Sequence, residues 1–400
     1  MKYLHVLASV NPSLGGPVEG VTQINRAMKQ AGHQVHVVSC DDPKADFVRS
    51  SPLEVIPLGP SRGTYSYTSR LLPWLTEHAK DYEAVVVNGL WQYHSYATFK
   101  ALHRTQTPYV VFTHGMLDPW FKRAYPLKHL KKWLYWPWAE YRVLKHARQV
   151  LFTSEEERLL ARTSFWLYKC RERVVSYGTA GAPGEDLHAQ HEAFLQRFPA
   201  LRGHRYLLFL GRIHPKKGCD LLLDAFARAM RRDPTLQLVM AGPDQTAWRG
   251  ELEKIACSAG ISAQVTWTGM LEGAVKWGAF AGAEAFVLPS HQENFGIGVA
   301  EALSCGVPVL ISDKVNIWRE ISTDEAGLVE PDDLAGTCRL LDRWQALSGE
   351  RQQAMKLSAK HCFRSRFEIG QVTSSLLDVL HSCRHPEVAA SHLPQLETAG

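Results

Sequence analysis

The sequence predicts an α/β protein with two Rossmann-like domains that face each other across a cleft. Short runs rich in Val, Leu and Ile alternate with longer amphipathic segments along most of the 400 residues, a pattern typical of βα units around parallel sheets. The pattern lapses between residues 181 and 203 and then starts again. Ligands of open α/β sheets bind at the carboxyl ends of the strands, so we expect the functional residues in loops that follow strands.

The strands expected in the first series are 3–8, 34–39, 53–58, 84–87, 109–113, 149–153 and 174–177. Those expected in the second series are 206–210, 236–241, 264–268, 285–288, 307–311 and 327–329. Helical patterns include residues 21–30 and 134–146. These elements predict a first domain over 1–195 and a second over 204–370. A helix over 371–384 is expected to return to the first domain, ahead of a disordered tail over 385–400.

Composition excludes several classes of protein. The net charge of +5 is too small to indicate a nucleic-acid-binding protein. The eight cysteines lie far apart, without the spacing of a zinc site or a disulfide scaffold, which favours reduced thiols in a cytoplasmic protein. No stretch approaches the roughly 20 apolar residues of a spanning helix, so membrane contact is expected to be peripheral.

The first chemical motif is LPSHQENFGIGVAEALSCGVPV over residues 288–309. A buried strand ends at Pro289, a polar loop follows, and a helix is predicted from near Gly296 to Gly306. The start of a helix favours a phosphate or a sugar oxygen. Glu293 and Glu301 could accept hydrogen bonds from hydroxyls at two places along an elongated ligand. A pair of Glu residues is usually a solvated helix face, but the strand, loop and glycines around this pair favour function.

The motif resembles the Glu-x7-Glu motif of the family 4 (group 1) glycosyltransferases, which have the two-domain GT-B fold. The resemblance implies that Glu293 holds hydroxyls of the donor sugar and that Glu301 holds the nucleotide ribose. It also assigns the junction residues Asn294, Phe295, Gly296 and Ile297 to donor binding.

The second motif is LLFLGRIHPKKGCD over residues 207–220, again a strand followed by a glycine turn and a helix. Arg212 and Lys217 lie on one short loop and could converge on one anion, although a solvated basic turn is the default explanation. The loop is similar to the family element in which these two cations neutralise the donor diphosphate. We therefore expect no metal ion or other cofactor at the leaving group.

The third motif is VVFTHGMLDPW over residues 110–120, in the first domain. His114 stands at a strand end beside a glycine, and the resemblance implies that it contacts the transferred sugar. Asp118 could bind an acceptor hydroxyl or could cap the helix that begins near Pro119, and the sequence does not separate these two roles.

The loop NPSLGGP over residues 11–17 resembles the glycine-rich loop of the family, which places Gly15 and Gly16 near the donor phosphate. It is not a GxGxxG fingerprint, which counts against a nicotinamide or flavin enzyme. Many members of the family carry Asn where this chain has Tyr177, and the role of Tyr177 is left open.

Residues 121–150 contain eight lysines and arginines but one acidic residue, a local charge of +7, interleaved with Trp and Tyr. Cations among aromatic residues suit an anionic membrane surface or a lipid pyrophosphate, and Lys128, Lys131 and Lys132 are the candidate contacts. The alternative is a core of Trp133, Leu134, Trp136 and Leu144 below a solvated basic face.

The sequence and the resemblance together predict a retaining glycosyltransferase that moves a hexose from a UDP- or GDP-sugar to a lipid-linked or oligosaccharide acceptor in bacterial surface polysaccharide synthesis. The first domain offers no obvious carboxylate nucleophile, which fits a front-face displacement. We expect a cytoplasmic enzyme, peripheral at the inner face of the cell membrane, without nucleic-acid partners. The alternatives are a catalytically silent sugar-nucleotide-binding or scaffold protein and a phosphorylase-like enzyme. Glu293, Arg212 and Lys217 argue against the first, and the short chain argues against the second.

Overall fold

The computed structural model describes residues 1–184 and 186–384, which divide into two compact units. The described part of unit 1 consists of residues 1–177 and 369–384, and that of unit 2 consists of residues 178–184 and 186–368. The predicted tail over 385–400 lies outside the described residues.

Unit 1 is built on a parallel seven-stranded sheet in the order β3-β2-β1-β4-β5-β6-β7. Its strands are β1 (Lys2–Leu7), β2 (Gln34–Ser39), β3 (Val55–Pro57), β4 (Ala84–Asn88), β5 (Tyr109–Phe112), β6 (Gln149–Phe152) and β7 (Glu172–Val174). Its helices up to β7 are α1 (Gly16–Gln30), α2 (Asp46–Arg49), α3 (Leu71–His78), α4 (Tyr93–Leu102), α5 (Trp120–Ala124), α6 (Pro126–Tyr135), α7 (Glu140–His146) and α8 (Glu155–Ala161). The central strands are buried on both faces, so their apolar runs are continuous rather than alternating.

Unit 2 repeats this plan with a parallel six-stranded sheet in the order β10-β9-β8-β11-β12-β13. Its strands are β8 (Tyr206–Leu210), β9 (Gln237–Ala241), β10 (Val265–Gly269), β11 (Ala285–Leu288), β12 (Val309–Ser312) and β13 (Gly327–Glu330). Its helices are α9 (Leu187–Arg197), α10 (Cys219–Ala229), α11 (Arg249–Ser258), α12 (Gly273–Ala281), α13 (Ile297–Ser304), α14 (Trp318–Thr323), α15 (Leu334–Ala346) and α16 (Gly349–Cys362). The last helix, α17 (Ile369–Arg384), returns to unit 1 and packs on α1.

The division between the units falls at residue 178, earlier than the boundary at 195 expected from the sequence. Residues 178–184 and α9 belong to unit 2. The Thr179 N–H donates to the Phe367 carbonyl at 3.0 Å. Helix α9 packs closely on α12, where a Cβ on Gly278 would lie 2.0 Å from the Gln190 carbonyl oxygen. The polar composition of this stretch reflects partly exposed packing rather than a linker.

The strand order of each sheet reverses direction at one point, between β1 and β4 in unit 1 and between β8 and β11 in unit 2. The carboxyl ends of the strands on either side of such a switch point leave room for a ligand. The loops after β1, β4, β8 and β11 are therefore the positions where each sheet can bind one.

Candidate functional site

The loop after β8 carries the two predicted cations in different environments. The Arg212 side chain is exposed and has no hydrogen-bond or ion-pair partner among the described residues. Lys217 ends a short 3₁₀ turn and is largely buried, with its ammonium group in contact with the Glu293 carboxylate. Burial, together with the nearby cations Lys216 and Arg212, lowers the pKa of Lys217 to about 7.

The loop after β11 holds Glu293 by its backbone. The Glu293 N–H donates to the Lys314 carbonyl, and the Glu293 carbonyl accepts from the Asn316 N–H, both at 2.9 Å. These two bonds fix the carboxylate beside Lys217. The structure thus brings together one residue from each of the two motifs of unit 2.

Gly218 allows the two loops to approach. Its φ is +66°, and a Cβ there would lie 2.2 Å from the Pro289 carbonyl oxygen. The Lys216 carbonyl accepts from the Ser290 hydroxyl at 2.9 Å and from the His291 N–H at 2.8 Å. Any larger residue at 218 would force the cationic loop away from the Glu293 loop.

Helix α13 begins directly after Gly296, and its first N–H groups, on Ile297 and Gly298, have no acceptor within the helix. The start of the helix can therefore receive an anion or an electron-rich sugar oxygen. Phe295, which the sequence assigned to donor binding, is 5% exposed and packs edge-on against Phe367. Its side chain supports the loop rather than facing a ligand.

Glu301 lies on α13 and is buried, and its carboxylate forms an ion pair with Lys276 of α12 at 2.5 Å. The sequence analysis did not identify Lys276. Its partner is 25 residues away on another helix, and no local pattern connects the two. The site in unit 2 therefore contains two carboxylate–lysine pairs, Glu293 with Lys217 and Glu301 with Lys276.

In unit 1, the glycine-rich loop after β1 leads directly into α1. Gly15 is the N-cap residue of α1, and Gly16 is its first residue. The Tyr177 hydroxyl donates to the Gly16 carbonyl at 2.8 Å, and the Pro17 carbonyl oxygen lies 3.1 Å from the same hydroxyl oxygen. Tyr177, left without a role by the sequence, thus holds the start of α1.

His114 follows β5, and its backbone has φ +49°, in the left-handed region that costs a non-glycine residue energy. The carboxylate of Glu157 holds this conformation, since it accepts from the Gly115 N–H at 2.6 Å and from the Thr113 hydroxyl at 2.5 Å. The sequence analysis did not identify Glu157. Its position three residues after the capping residue Ser154 is nevertheless a recognisable capping-box signal.

Asp118 is buried, and its carboxylate accepts from the Trp120 N–H at 2.8 Å. This contact holds the start of α5 and supports the capping role of the two that the sequence left open. An acceptor-binding role for Asp118 stays a prediction.

The basic aromatic segment folds differently from the predicted helix over 134–146. Helix α6 ends at Tyr135, and α7 begins only at Glu140. Pro137 lies in the break, because a proline inside a helix removes a hydrogen bond and clashes with the preceding turn.

Helix α6 presents its apolar face to solvent. Leu127, Leu130 and Leu134 are 78%, 55% and 60% exposed. Three tryptophans around them are exposed as well: Trp133, Trp138 and Trp166. The alternative prediction, that four residues of this segment form a core, is correct for Trp136 and Leu144, which are buried. It is wrong for Trp133 and Leu134, which are exposed.

The structure corrects the prediction that Lys132 contacts a membrane. Its ammonium lies 4.5 Å from the centre of the Trp91 ring, on the inner side of α6, and burial lowers its pKa to about 8. Lys128 and Lys131 are exposed. Lys132 therefore anchors α6 to the unit, and the other two remain available to a partner.

Within residues 1–184 and 186–384, no group of three or more His, Cys, Asp and Glu side chains is arranged to hold a metal ion. No helix in the same residues combines the length and the apolarity needed to cross a membrane.

Comparison with known proteins gives two family matches. Residues 15–178 match the model described as "Glycosyl transferase 4-like domain", and residues 192–360 match "Glycosyl transferases group 1". The chain is 24% identical over 392 residues, 95% of its length and 97% of the relative's, to a GDP-mannose:cellobiosyl-diphosphopolyprenol alpha-mannosyltransferase of Xanthomonas oryzae pv. oryzae. It is 30% identical over 224 residues, 50% of its length and 49% of the relative's, to a D-inositol 3-phosphate glycosyltransferase of Geodermatophilus obscurus.

Among solved structures, Anabaena HepE in complex with UDP and glucose is similar with a TM-score of 0.73 and 16% identity. The match covers 96% of this chain and 100% of the other. A sucrose-phosphate synthase from Thermosynechococcus elongatus matches with a TM-score of 0.72 and 21% identity over 98% and 99% of the two chains. These likenesses show the fold, two Rossmann-like domains of the GT-B type.

Proposed function

Since the chain belongs to the group 1 glycosyltransferases, we propose that it transfers a hexose, with retention, from a UDP- or GDP-sugar to a hydroxyl of a lipid-linked or oligosaccharide acceptor. The observation that carries the proposal is the convergence of Lys217 and Glu293 from two loops at the switch point of unit 2. This pair suits a nucleotide-sugar donor, because the cation can contact the diphosphate while the carboxylate contacts the sugar joined to it.

Each candidate site residue of unit 2 has a proposed role that the chemistry of its side chain supports. Arg212, Lys217 and the start of α13 stabilise the departing diphosphate, because cations and N–H groups without an acceptor in the helix act where negative charge develops. Glu293 accepts hydrogen bonds from sugar hydroxyls, and Glu301 accepts them from the ribose. This division follows the family resemblance, and the separate lysine partners of the two carboxylates are consistent with it.

His114 of unit 1 contacts the transferred sugar, as the resemblance implies, and the acceptor hydroxyl attacks the anomeric carbon from the side of the leaving group. The bond from the anomeric carbon to the diphosphate oxygen breaks as the new bond to the acceptor oxygen forms. The acceptor proton passes to the departing phosphate oxygen, so the step needs no protein nucleophile and no metal ion.

The donor is tested first by thermal stabilisation, because a ligand that binds the folded state shifts the unfolding equilibrium by mass action. We expect UDP or GDP to raise the melting temperature and ADP to leave it unchanged. The Arg212→Ala variant should lose most of this shift. Stabilisation by none of the three nucleotides would overturn the donor assignment.

Transfer itself separates this enzyme from a catalytically silent binding protein. The protein is incubated with a polyprenyl-diphosphate-linked oligosaccharide and with sugar donors of whichever nucleotide stabilises it. The product should be an extended oligosaccharide in which the transferred sugar keeps the anomeric configuration that it has in the donor. Nucleotide binding without transfer to any such acceptor, or hydrolysis alone, would favour the silent protein. The Xanthomonas oryzae mannosyltransferase, whose name specifies a diphosphopolyprenol-linked acceptor, supports the lipid-linked class of acceptor. A role in bacterial surface polysaccharide synthesis is part of the proposal and follows the family resemblance.

The enzyme works on the cytoplasmic side of an anionic membrane, which it meets through α6. The outward leucines of α6 follow the spacing i, i+3 and i+7, and each would gain about 1.5–3 kcal/mol if fully buried in lipid. Four exposed cations surround them and have no ion-pair partner among the described residues: Lys122, Arg123, Lys128 and Lys131. An apolar stripe with a basic rim fits an anionic lipid surface.

Vesicle sedimentation tests this surface. The double variant Lys128→Glu/Lys131→Glu should release the protein from vesicles that contain phosphatidylglycerol, since each lysine near such a surface contributes ~1 kcal/mol. The control Lys80→Glu/Lys100→Glu makes the same charge change at exposed positions elsewhere in unit 1 and should leave binding intact. Equal loss in both would indicate a net-charge effect, and self-association without lipid would show that a second copy covers α6 instead.

A further inference from the structure

Asn88, the last residue of β4, is buried and contacts three histidines, of which His5 and His94 are buried and His114 is partly buried. Its side-chain amide nitrogen is 3.2 Å from the Val86 carbonyl oxygen and 3.2 Å from Nδ1 of His5. Its amide oxygen is 3.3 Å from Nε2 of His114. The backbone carbonyl of Asn88 accepts a hydrogen bond from Nε2 of His94 at 2.9 Å.

These contacts allow only one orientation of the amide. A backbone carbonyl oxygen can only accept, so the Asn88 group that faces Val86 must be the NH₂. The oxygen of Asn88 therefore faces His114. Because an amide oxygen is an acceptor, Nε2 of His114 must carry a proton and donate it.

The second nitrogen of His114 is then free of a proton. Burial, with His5 and His94 close by, lowers the pKa of His114 to about 3, so the ring is neutral. A neutral imidazole with its proton on Nε2 has a lone pair on Nδ1. Nδ1 has no hydrogen-bond partner among residues 1–184 and 186–384.

The ring is also fixed in direction. It stacks on Phe112 with centres 5.3 Å apart, and it meets the Tyr177 ring edge-on at 5.6 Å. Glu157 holds the backbone on either side of it. A ring that cannot turn presents the same nitrogen to every ligand.

We propose that Asn88 is a positioning residue, which fixes His114 as the Nε2–H tautomer so that its Nδ1 accepts a hydrogen bond from a hydroxyl of the transferred sugar. The inference rests on the proposed function, in which His114 contacts that sugar. It adds the direction of the hydrogen bond and the residue that sets it.

The Asn88→Asp variant tests the proposal by its pH profile. A carboxylate at position 88 stabilises the doubly protonated ring of His114, and that ring has no lone pair on Nδ1 to offer. We expect kcat/KM of the variant to fall by about tenfold or more between pH 8 and pH 6 relative to the wild type. The other titratable groups that face His114 are His5, His94 and Tyr177, which the variant keeps.

Gln92→Glu is the matched control, since it introduces the same charge four residues further along the chain, where the side chain contacts Ser66 instead of His114. Its profile should follow the wild type. A profile of Asn88→Asp parallel to the wild type, in an active enzyme, would overturn the inference and leave the proposed function standing. An inactive wild type would overturn the proposed function itself.

Two substitutions of His114 give an independent answer if Asn88→Asp does not fold. The amide of Asn can place its oxygen where Nδ1 lies, whereas the amide of Gln can replace only Nε2. We expect His114→Asn to keep at least tenfold more kcat than His114→Gln. The reverse order would show that the proton on Nε2, rather than the lone pair on Nδ1, serves the reaction.

Discussion

Each carboxylate of the Glu-x7-Glu pair is held by its own lysine, which makes the two separable by mutation. If Glu301 holds the nucleotide ribose, as proposed, its contact is the same before and during reaction, so Glu301→Ala should raise KM and lower the affinity for free UDP or GDP by about tenfold. Glu293→Ala should mainly lower kcat, because positive charge develops at the sugar. Calorimetry with the nucleotide distinguishes them, with the exposed Glu251→Ala as control, and equal losses in both variants would show that the roles are assigned wrongly.

Lys217 is expected to take up a proton when the donor binds. Its pKa is lowered to about 7 in the free protein, and a diphosphate beside it would raise that value. Affinity for UDP or GDP should therefore fall as the pH rises above 7, through the range between the free and bound pKa values. Calorimetry at pH 8 in buffers of different ionisation enthalpy should show proton uptake in the wild type and none in Lys217→Ala. A binding heat independent of buffer in the wild type would contradict the assignment.

The sequence placed Glu293, Arg212, Lys217 and His114 in loops that follow strands and Glu301 on the helix after its loop, because each belongs to a strand–loop–helix pattern that is local in the chain. The functional roles of Lys276 and Asn88 could not be predicted from the sequence. Their roles arise from contacts made 25 and 26 residues away, with Glu301 and His114. Such pairings depend on which elements are neighbours in the fold, and no local pattern of residue types carries that information.

At the level of elements, apolar runs predicted every strand to within a few residues. The central strands β4, β5 and β11 are apolar along almost their whole length because they are buried on both faces. The orientation of helix α6 was harder to predict. Its periodicity identifies an apolar stripe but does not say whether the stripe faces the core or the solvent. The inward side of α6 is instead formed by His129, Lys132 and Tyr135, which contact Phe165, Trp91 and Tyr65 respectively.

The junction between the β8 and β11 loops depends on Gly218, and Gly218→Ala should break it. The new methyl group would meet the Pro289 carbonyl at 2.2 Å, in a backbone conformation that costs alanine roughly 1–2 kcal/mol by itself. We expect a lower melting temperature and the loss of nucleotide binding. Gly250→Ala, in the first turn of α11 with nothing within 4 Å of the new methyl group, should do neither. Unchanged nucleotide affinity in Gly218→Ala would mean that the two loops bind independently.

At the scale of the whole molecule, both sheets place their functional loops by the same rule. Gly15 follows β1 and Asn88 ends β4, on the two sides of the switch point in unit 1. Lys217 follows β8 and Glu293 follows β11, on the two sides of the switch point in unit 2. The sequence supplied the number and class of the strands, but their order in the sheets depends on crossovers that only the folded chain reveals.

Catalysis without a metal ion is the prediction that concerns the molecule as a whole. Lys217, in contact with Glu293, and the exposed Arg212 lie on the loop after β8, and α13 begins after the loop that carries Glu293. The described residues contain no cluster of His, Cys, Asp and Glu arranged to hold a metal ion. If these groups carry the charge of the leaving group, EDTA should leave the rate of transfer unchanged, whereas Lys217→Ala should lower turnover by roughly 10²–10³-fold, the scale for one preorganised donor. The measurement is the initial rate at saturating donor, for wild type and variant, in EDTA and then with each metal added back. A wild-type rate that EDTA abolishes and Mg²⁺ restores would show that a metal ion, bound with the donor, does the work assigned to these cations.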